Sequence, residues 1–224
     1  MLPGIAAVAF DLDGTLYPNY RLNVRLLPFL LGHWRLLIAF SGARDRIRSE
    51  QEESPSSFRE DFYDYQAQLT AGRLNAPPHQ IREMLERLVY RGFEGHFRKI
   101  KLFPHVRELL AELRSAGIKL GLLSDFPPKT KLENLGIAEG WDAVLCSEET
   151  GAIKPALRPF ACLAEELRCE SGEILYVGNS YRYDVLGAKR AGMKTALLAG
   201  GGKQGGDADF TFRNYRQLRN YMLQ

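Results

Sequence analysis

The sequence predicts an α/β fold, in which helices cover both faces of a parallel β-sheet and one all-helical segment is inserted. After residue 101, short apolar segments alternate with segments of helical periodicity. A further apolar segment near the start of the chain, residues 5–10, carries no charge. Such segments are typical of strands buried on both faces. Between residues 17 and 101 the apolar residues recur at the spacing of a helix. We therefore expect an α/β core formed by residues 1–17 and 101–224, with a helical cap at residues 18–100.

Composition and charge exclude several functional classes. The chain has 224 residues, of which 45% are hydrophobic and 25% charged, as in ordinary soluble globular proteins. A net charge of +3 without a long basic run argues against a nucleic-acid partner. Cys146, Cys162 and Cys169 lack metal-type spacing and indicate reduced thiols in a cytoplasmic protein. No basic region precedes the first apolar segment, so we expect no signal peptide.

The most apolar stretch, residues 26–40, is a candidate membrane segment. Four residues interrupt it: Pro28, Gly32, His33 and Arg35. It is also shorter than the roughly 20 residues that a spanning helix needs, which excludes that role. We expect a core helix of the cap and no membrane contact. The alternative is an interfacial helix at residues 22–40, with Arg25 and Arg35 beside Trp34.

The remainder of the cap region is predicted to be helical. Residues 43–57 are charged and predict a solvated helix end and loop. Aromatic residues spaced three and four apart at 58–65 predict an amphipathic helix, and the apolar stripe at 79–90 predicts another. Pro77 and Pro78 mark the break between these two helices.

The second half of the chain has a regular pattern. Helices are predicted over residues 105–116, 129–135, 158–168, 185–191 and 215–222, and strands over 118–124, 143–146, 174–177 and 195–198. This alternation favours a parallel sheet with right-handed crossovers. Ligands of such sheets bind beyond the carboxyl ends of the strands. Asp11, Asp13, Ser124 and Asn179 directly follow predicted strand ends, and Asp184 comes shortly after.

Two carboxylates stand at the end of the first strand. Side chains two residues apart on extended backbone point to the same side, so we expect Asp11 and Asp13 to face one pocket. Gly14 permits a sharp exit of the chain. Two like charges this close need a cation or a shared proton, and both solutions suit phosphoryl chemistry on Mg²⁺. The alternative is a surface Asp-Gly turn.

Four separated segments resemble the haloacid dehalogenase superfamily. They are Asp11-Leu-Asp13-Gly14-Thr15, Leu122-Leu123-Ser124, Lys154-Pro155, and Val177-Gly178-Asn179-Ser180 with Asp184 after it. They occur in order, and three of them lie at predicted strand ends. The resemblance covers about residues 1–17 and 101–212 and implies a Rossmann-like sheet, with the helical insertion in the position of the superfamily's cap.

The resemblance also implies a chemistry. Asp11 would be a nucleophile that forms an aspartyl-phosphate, and Asp13 would protonate the leaving oxygen and then activate water. Ser124 and Thr15 would contact the substrate. Lys154 would hold both the nucleophile and the phosphoryl charge. The implied cofactor is Mg²⁺.

The implied ligands of Mg²⁺ are Asp11, Asp13, Asn179 and Asp184. Asn179 replaces the acid that is usual in the superfamily, so we expect weaker Mg²⁺ binding than usual. A second departure is Asp125, where an amide is frequent. The sequence shows no compensation for its added negative charge.

The function expected from this resemblance is a Mg²⁺-dependent phosphatase for a small phosphorylated metabolite. Asp13 favours it, because related dehalogenases and phosphonatases lack an acid at that position. A phosphomutase of the same fold is the alternative within the enzymes. A catalytically weak binding protein, suggested by Asn179, is the alternative outside them. Arg21, Arg25 and Lys129 are candidates for the mouth of the pocket, while the individual substrate and the oligomeric state have no sequence signature.

Overall fold

The computed structural model describes residues 2–20, 29, 31–54, 58–92, 100–200 and 206–223. Six parallel strands form one sheet in the order β3-β2-β1-β4-β5-β6. The strands are β1 (Ala7–Phe10), β2 (Lys119–Ser124), β3 (Ala143–Cys146), β4 (Ile174–Gly178), β5 (Lys194–Leu198) and β6 (Phe210–Phe212). The predicted fold class is confirmed.

Strand β1 lies in the middle of the sheet and is buried on both faces. Val8 and Phe10 pack into one hydrophobic cluster, and Ala7 and Ala9 into the cluster on the opposite face. This explains the absence of charge along the strand, because a charged side chain on either face would lose its hydration without a partner. The N–H of Asp11 donates to the carbonyl of Val177 at 2.9 Å. The ladder with β4 therefore continues to the first residue beyond β1.

Between residues 31 and 92 the described chain is mainly helical. Its helices are α1 (Trp34–Glu53), α2 (Phe62–Leu74) and α3 (Pro78–Leu85), and a π-helical turn (Glu86–Tyr90) extends α3. A separate apolar cluster holds them together, formed by Leu36, Phe40, Ala67, Ala71, Ile81, Leu85 and Val89. These helices are called the cap below, and the boundaries of its domain at residues 18 and 100 remain a prediction.

The remaining helices cover the sheet. They are α4 (Val106–Ser115), α5 (Lys129–Leu135), α6 (Leu157–Leu167), α7 (Leu186–Arg190) and α8 (Tyr215–Leu223). A π-helical turn (Tyr181–Val185) directly precedes α7. These five helices, and strands β2 to β5, lie within about two residues of their predicted positions, whereas the π-helical turn and β6 were not predicted.

The expectation of a solvated helix end at residues 43–57 is wrong for the part that the structure describes. Helix α1 runs unbroken to Glu53, and Arg44, Arg48 and Gln51 on it are buried. The arginines are buried because acidic residues of the α/β core lie opposite them. The helix predicted at residues 58–65 begins later than expected. It starts at Phe62, whereas Phe58 is 45% exposed and lies outside it.

The apolar stretch at residues 26–40 has two different faces where the structure describes it. Leu36, Ala39 and Phe40 are buried, as expected of a cap helix, whereas Leu31, Trp34 and Ile38 are exposed. Residues 21–28 and 30, which include Arg25, lie outside the described residues. No described helix combines the length and the apolar character that crossing a membrane requires.

Candidate active site

Asp11 lies directly beyond the carboxyl end of β1 and is buried. Its Oδ2 accepts a hydrogen bond from the Thr15 hydroxyl at 2.6 Å, and its Oδ1 accepts one from Lys154 Nζ at 2.7 Å. Both oxygens of the carboxylate are therefore oriented. Thr15 can act in this way because the chain turns sharply after β1 and brings the fourth residue back over the first.

Lys154 connects two of the predicted site residues. Its ammonium is buried and also donates to Asp184 Oδ1 at 2.7 Å, so it lies between the carboxylates of Asp11 and Asp184. Burial alone would lower the pKa of Lys154, but these two charges hold it well above its usual value. Nζ further donates to the hydroxyl of Tyr176 at 3.2 Å and to the carbonyl of Leu123 at 3.3 Å. The lysine thus carries a fixed positive charge at the sheet edge.

Asp184 is held by the backbone that follows β4. Its Oδ2 accepts the N–H groups of Asn179 at 3.1 Å and Ser180 at 2.9 Å. The loop folds so tightly here that a Cβ on Gly178 would lie 2.3 Å from Cβ of Asp184. Glycine is therefore required at position 178, and the turn fixes Asp184 beside Lys154.

Asp13 has partners that differ from those of Asp11. Its carboxylate accepts a hydrogen bond from the Tyr17 hydroxyl and from Lys131 Nζ, which lies 2.5 Å from Oδ2 and 2.7 Å from Oδ1. Sequence reasoning missed Lys131 and named Lys129, which is exposed. Arg21 and Arg25 lie outside the described residues. Two residues apart on a helix, Lys129 and Lys131 point in different directions, but the sequence does not show which of them meets Asp13.

The side chain of Asn179 reaches the turn that follows Asp13. Gly14 has a φ of +89°, and a Cβ there would lie 2.2 Å from Nδ2 of Asn179. The glycine thus provides both the left-handed backbone and the space for the amide. Asn179 therefore lies against the loop that carries the two aspartates, although it is distant from them in sequence.

Ser124 is buried at the end of β2, and its hydroxyl oxygen accepts the N–H of Phe126 at 3.3 Å. It directly follows Leu123, whose carbonyl contacts Lys154. The structure thus brings Ser124 to the same edge of the sheet as Asp11 and Lys154. Among the described residues, Asp11 and Lys154 are hydrogen-bonded to each other, whereas the Ser124 hydroxyl bonds to the N–H of the nearby Phe126.

The electrostatics of this edge favour a bound cation. Burial, together with the charges of Asp184 and Asp13, raises the pKa of Asp11 to about 7 despite the opposing charge of Lys154. When all three carboxyl groups are ionised, the carboxylates of Asp11, Asp13 and Asp184 outnumber the ammonium groups of Lys154 and Lys131, and protonation of Asp13 leaves no excess positive charge. A phosphate dianion at this edge would therefore require additional positive charge.

The donor set fits a hard divalent cation. Asp11 and Asp184 supply carboxylate oxygens and Asn179 an amide oxygen, which are the ligand types that Mg²⁺ prefers. Both oxygens of Asp11 and Oδ1 of Asp184 each accept one of the hydrogen bonds described above and keep a second lone pair, whereas Oδ2 of Asp184 accepts two. Among the described residues, no three His, Cys, Asp or Glu side chains form a metal cluster. A cation here would therefore depend on the amide, on backbone oxygen and on the substrate itself.

The charge of Asp125 has compensation that the sequence did not reveal. Oδ2 of Asp125 lies 3.1 Å from Arg44 Nη2 and 3.1 Å from Arg48 Nη2, both on the cap helix α1. Burial alone would raise the pKa of Asp125, but Arg44, the Lys154 ammonium and Arg48 hold it below its usual value. Arg44 also pairs with the buried Glu148. The cap and the α/β core are thus joined by buried ion pairs.

Comparison with known proteins gives a consistent result. A family profile described as haloacid dehalogenase-like hydrolase matches residues 5–192. The chain is 30% identical to a glyceraldehyde 3-phosphate phosphatase of Methanopyrus kandleri over 88% of this chain and 85% of that protein. It is 27% identical to a phosphoglycolate phosphatase of Salmonella typhi over 89% of this chain and 83% of that protein.

The fold is also similar to that of solved structures. A crystal structure of a phosphatase from Thermococcus onnurineus superposes with a TM-score of 0.66 at 28% identity, and the match covers 98% of both chains. An L-2-haloacid dehalogenase structure, RSc1362, superposes with a TM-score of 0.67 at 21% identity, covering 98% of this chain and 99% of the other. Because the identity to the dehalogenase is only 21%, that similarity concerns the fold alone.

Proposed function

The chain belongs to the haloacid dehalogenase-like hydrolases and is a phosphatase, and from this premise we propose how its residues hydrolyse a phosphomonoester. The single observation that carries the proposal is the arrangement around Asp11. A buried carboxylate has both oxygens oriented, one by Thr15 and one by a lysine that also contacts Asp184. This arrangement suits a nucleophile that must hold one geometry while negative charge accumulates beside it.

In the first step, a carboxylate oxygen of Asp11 attacks phosphorus, and the bond from phosphorus to the ester oxygen breaks. Asp13 donates its proton to the leaving oxygen. Lys154 stabilises the charge on the phosphoryl oxygens, and the Ser124 hydroxyl binds one of them. The product of this step is an aspartyl-phosphate on Asp11.

In the second step, water attacks phosphorus and Asp13 accepts its proton. The bond between phosphorus and Asp11 then breaks, which releases phosphate and restores both carboxyl groups. Asp13 thus returns to the protonated state in which it began. Lys131 and Tyr17 orient its carboxyl group throughout, because both contact it in the structure.

We propose Mg²⁺ as the cofactor, held by the carboxylate of Asp11, the backbone carbonyl of Asp13, the amide oxygen of Asn179 and, directly or through water, Asp184. When bound, it neutralises phosphoryl charge and aligns the phosphate with the nucleophile. The negative charge and the raised pKa of Asp11 support this proposal.

The substrate is proposed to be a small phosphorylated metabolite. Relatives of similar length are named as phosphatases of glyceraldehyde 3-phosphate and of phosphoglycolate, which are both small phosphomonoesters. All three cysteines are free thiols, which supports a cytoplasmic location.

The experiment that tests the function is hydrolysis of an aryl phosphate with and without Mg²⁺. The wild-type protein is expected to release phosphate only with the metal, and Asp11→Asn, which keeps the shape of the side chain, is expected to release none. Equal phosphate release by Asp11→Asn and by the wild type would overturn the assignment of Asp11. Low net release that a sugar bisphosphate activates would indicate a phosphomutase instead.

A further inference from the structure

Arg48 of the cap contacts three segments of the α/β core. Its Nε donates to the carbonyl of Lys154 at 3.0 Å, and its Nη2 donates to Asp125 Oδ2 at 3.1 Å. Its guanidinium lies 4.3 Å from the ring centroid of Tyr183, in the turn that precedes Asp184. Arg48 therefore touches the segments that carry Ser124, Lys154 and Asp184, although it belongs to none of them.

The main chain of Lys154 is held on both sides. Its N–H donates to Asp125 Oδ1 at 3.1 Å, and its carbonyl accepts from Arg48 Nε. Asp125 and Arg48 are themselves paired through Oδ2. The three groups form a closed clamp around the peptide of the residue whose ammonium contacts Asp11.

The clamp is rigid because it is buried. The side chain of Arg48 is 10% exposed and that of Asp125 is 15% exposed. A buried ion pair with several hydrogen bonds has few alternative geometries, since each of them would leave a charge without a partner. A planar guanidinium can satisfy a carbonyl and a carboxylate simultaneously, which an ammonium on a flexible stem cannot do with the same geometry.

We propose that Arg48 is a positioning residue. Carried by the cap, it fixes the main chain of Lys154 and thereby the ammonium that orients Asp11. The role of Lys154 in this inference rests on the proposed phosphatase function. A displacement of about 1 Å at a reacting group can cost about 100-fold in rate. The catalytic arrangement is then complete only when helix α1 lies on the α/β core.

Arg44, one turn earlier on the same helix, separates this proposal from a purely structural role. It is buried more deeply and pairs with Asp125 and Glu148, and it donates to Gln66 at 3.2 Å. None of its hydrogen bonds among the described residues goes to Lys154. If the buried charges only attach the cap, loss of Arg44 must harm activity at least as much as loss of Arg48.

The experiment compares Arg48→Ala with Arg44→Ala, and uses Arg46→Gln as a control because Arg46 is exposed on the same helix. We expect kcat for an aryl phosphate to fall about 10- to 100-fold in Arg48→Ala with a smaller change in KM. Arg44→Ala should lower the urea midpoint more and kcat less. Arg46→Gln should change neither quantity.

Chemical rescue provides a second measurement. A cavity of about 410 Å³ beside Arg48 is lined by Gln51, Pro155 and Arg190, so truncation leaves an accessible space. Millimolar guanidinium is expected to restore part of kcat in Arg48→Ala and none in Arg44→Ala. A kcat loss in Arg44→Ala equal to or greater than that in Arg48→Ala, or no rescue, would overturn the proposal.

Amide hydrogen exchange tests the clamp without reference to activity. Arg48→Ala is expected to accelerate exchange of the Lys154 N–H, because Asp125 loses one of the two arginines that align it and the Lys154 carbonyl loses its donor. Arg46→Gln is expected to leave that exchange unchanged. Unchanged exchange in Arg48→Ala would overturn the proposal. If exchange is faster in Arg48→Ala but the wild-type protein shows no turnover, the clamp is supported and the phosphatase function is refuted.

Discussion

The ammonium of Lys131 lies 2.5 Å from Oδ2 of Asp13. This pair joins the third residue beyond β1 to helix α5, which follows β2, and no motif of the sequence indicates it. The Lys131 side chain is 14% exposed and that of Asp13 is 27% exposed. The pair is therefore more exposed to solvent than the pair of Lys154 and Asp11.

Replacing Lys131 with Gln tests whether this contact serves catalysis. Because the ammonium contacts the carboxyl group that we propose as the general acid and base, we expect kcat/KM for an aryl phosphate to fall about tenfold. Lys129→Gln, on the same helix but exposed, is the matched control and should retain wild-type kinetics. Similar kcat/KM values for the two variants would show that Lys131 contributes no more than a surface charge.

The raised pKa of Asp11 predicts a pH dependence of metal binding. Burial raises this pKa to about 7, so below pH 7 a proton must leave before a cation can bind the carboxylate. The Mg²⁺ concentration at half-saturation should fall about tenfold per pH unit as pH rises toward 7, and then level off. Calorimetric titration at several pH values measures it. A constant value between pH 5.5 and 7 would contradict the prediction.

Asn179→Asp tests the amide as a metal ligand. The substitution restores a negative charge beside Asp11 and Asp184, so we expect a several-fold to about tenfold lower half-saturating Mg²⁺ concentration. Activity titrated against Mg²⁺ in both proteins measures the difference. Equal half-saturation would mean that residue 179 does not contact the metal.

Gly178→Ala tests the tight loop that places Asp184. A Cβ at residue 178 would lie 2.3 Å from Cβ and 2.4 Å from Cγ of Asp184, so the turn must open. We expect a loss of about 1–3 kcal/mol or more in the free energy of unfolding, measured by urea denaturation. Gly172→Ala is the control, because a Cβ there would meet nothing within 4 Å. Equal stability of the two variants would contradict this account of the loop.

The sequence predicted the sheet and the positions at its edge for a physical reason. Asp11 and Asn179 directly follow a short apolar strand and Ser124 ends one, and in a parallel sheet such positions converge. The strands themselves are recognisable because burial on both faces excludes charge. Local sequence thus contains the information for this part of the site.

The contacts of the cap could not be predicted in the same way. Arg44 and Arg48 lie in a charged segment, and such segments are usually solvated. Their partners Asp125 and Glu148 are about 80 to 100 residues away. Nothing in a charged helix shows which arginine meets a buried carboxylate until the chain is folded. For the same reason Asp125 lacked any visible compensation, although the structure gives it two arginines.

The most direct test of the account is to trap the intermediate on Asp11. Acid quenching during turnover of an aryl phosphate, followed by borohydride reduction, converts an aspartyl-phosphate to homoserine, which peptide mass spectrometry can locate. The account predicts homoserine at residue 11 of the wild-type protein when substrate is present. No homoserine is expected without substrate or in Asp11→Asn. Homoserine at another aspartate, or none during measurable turnover, would contradict it.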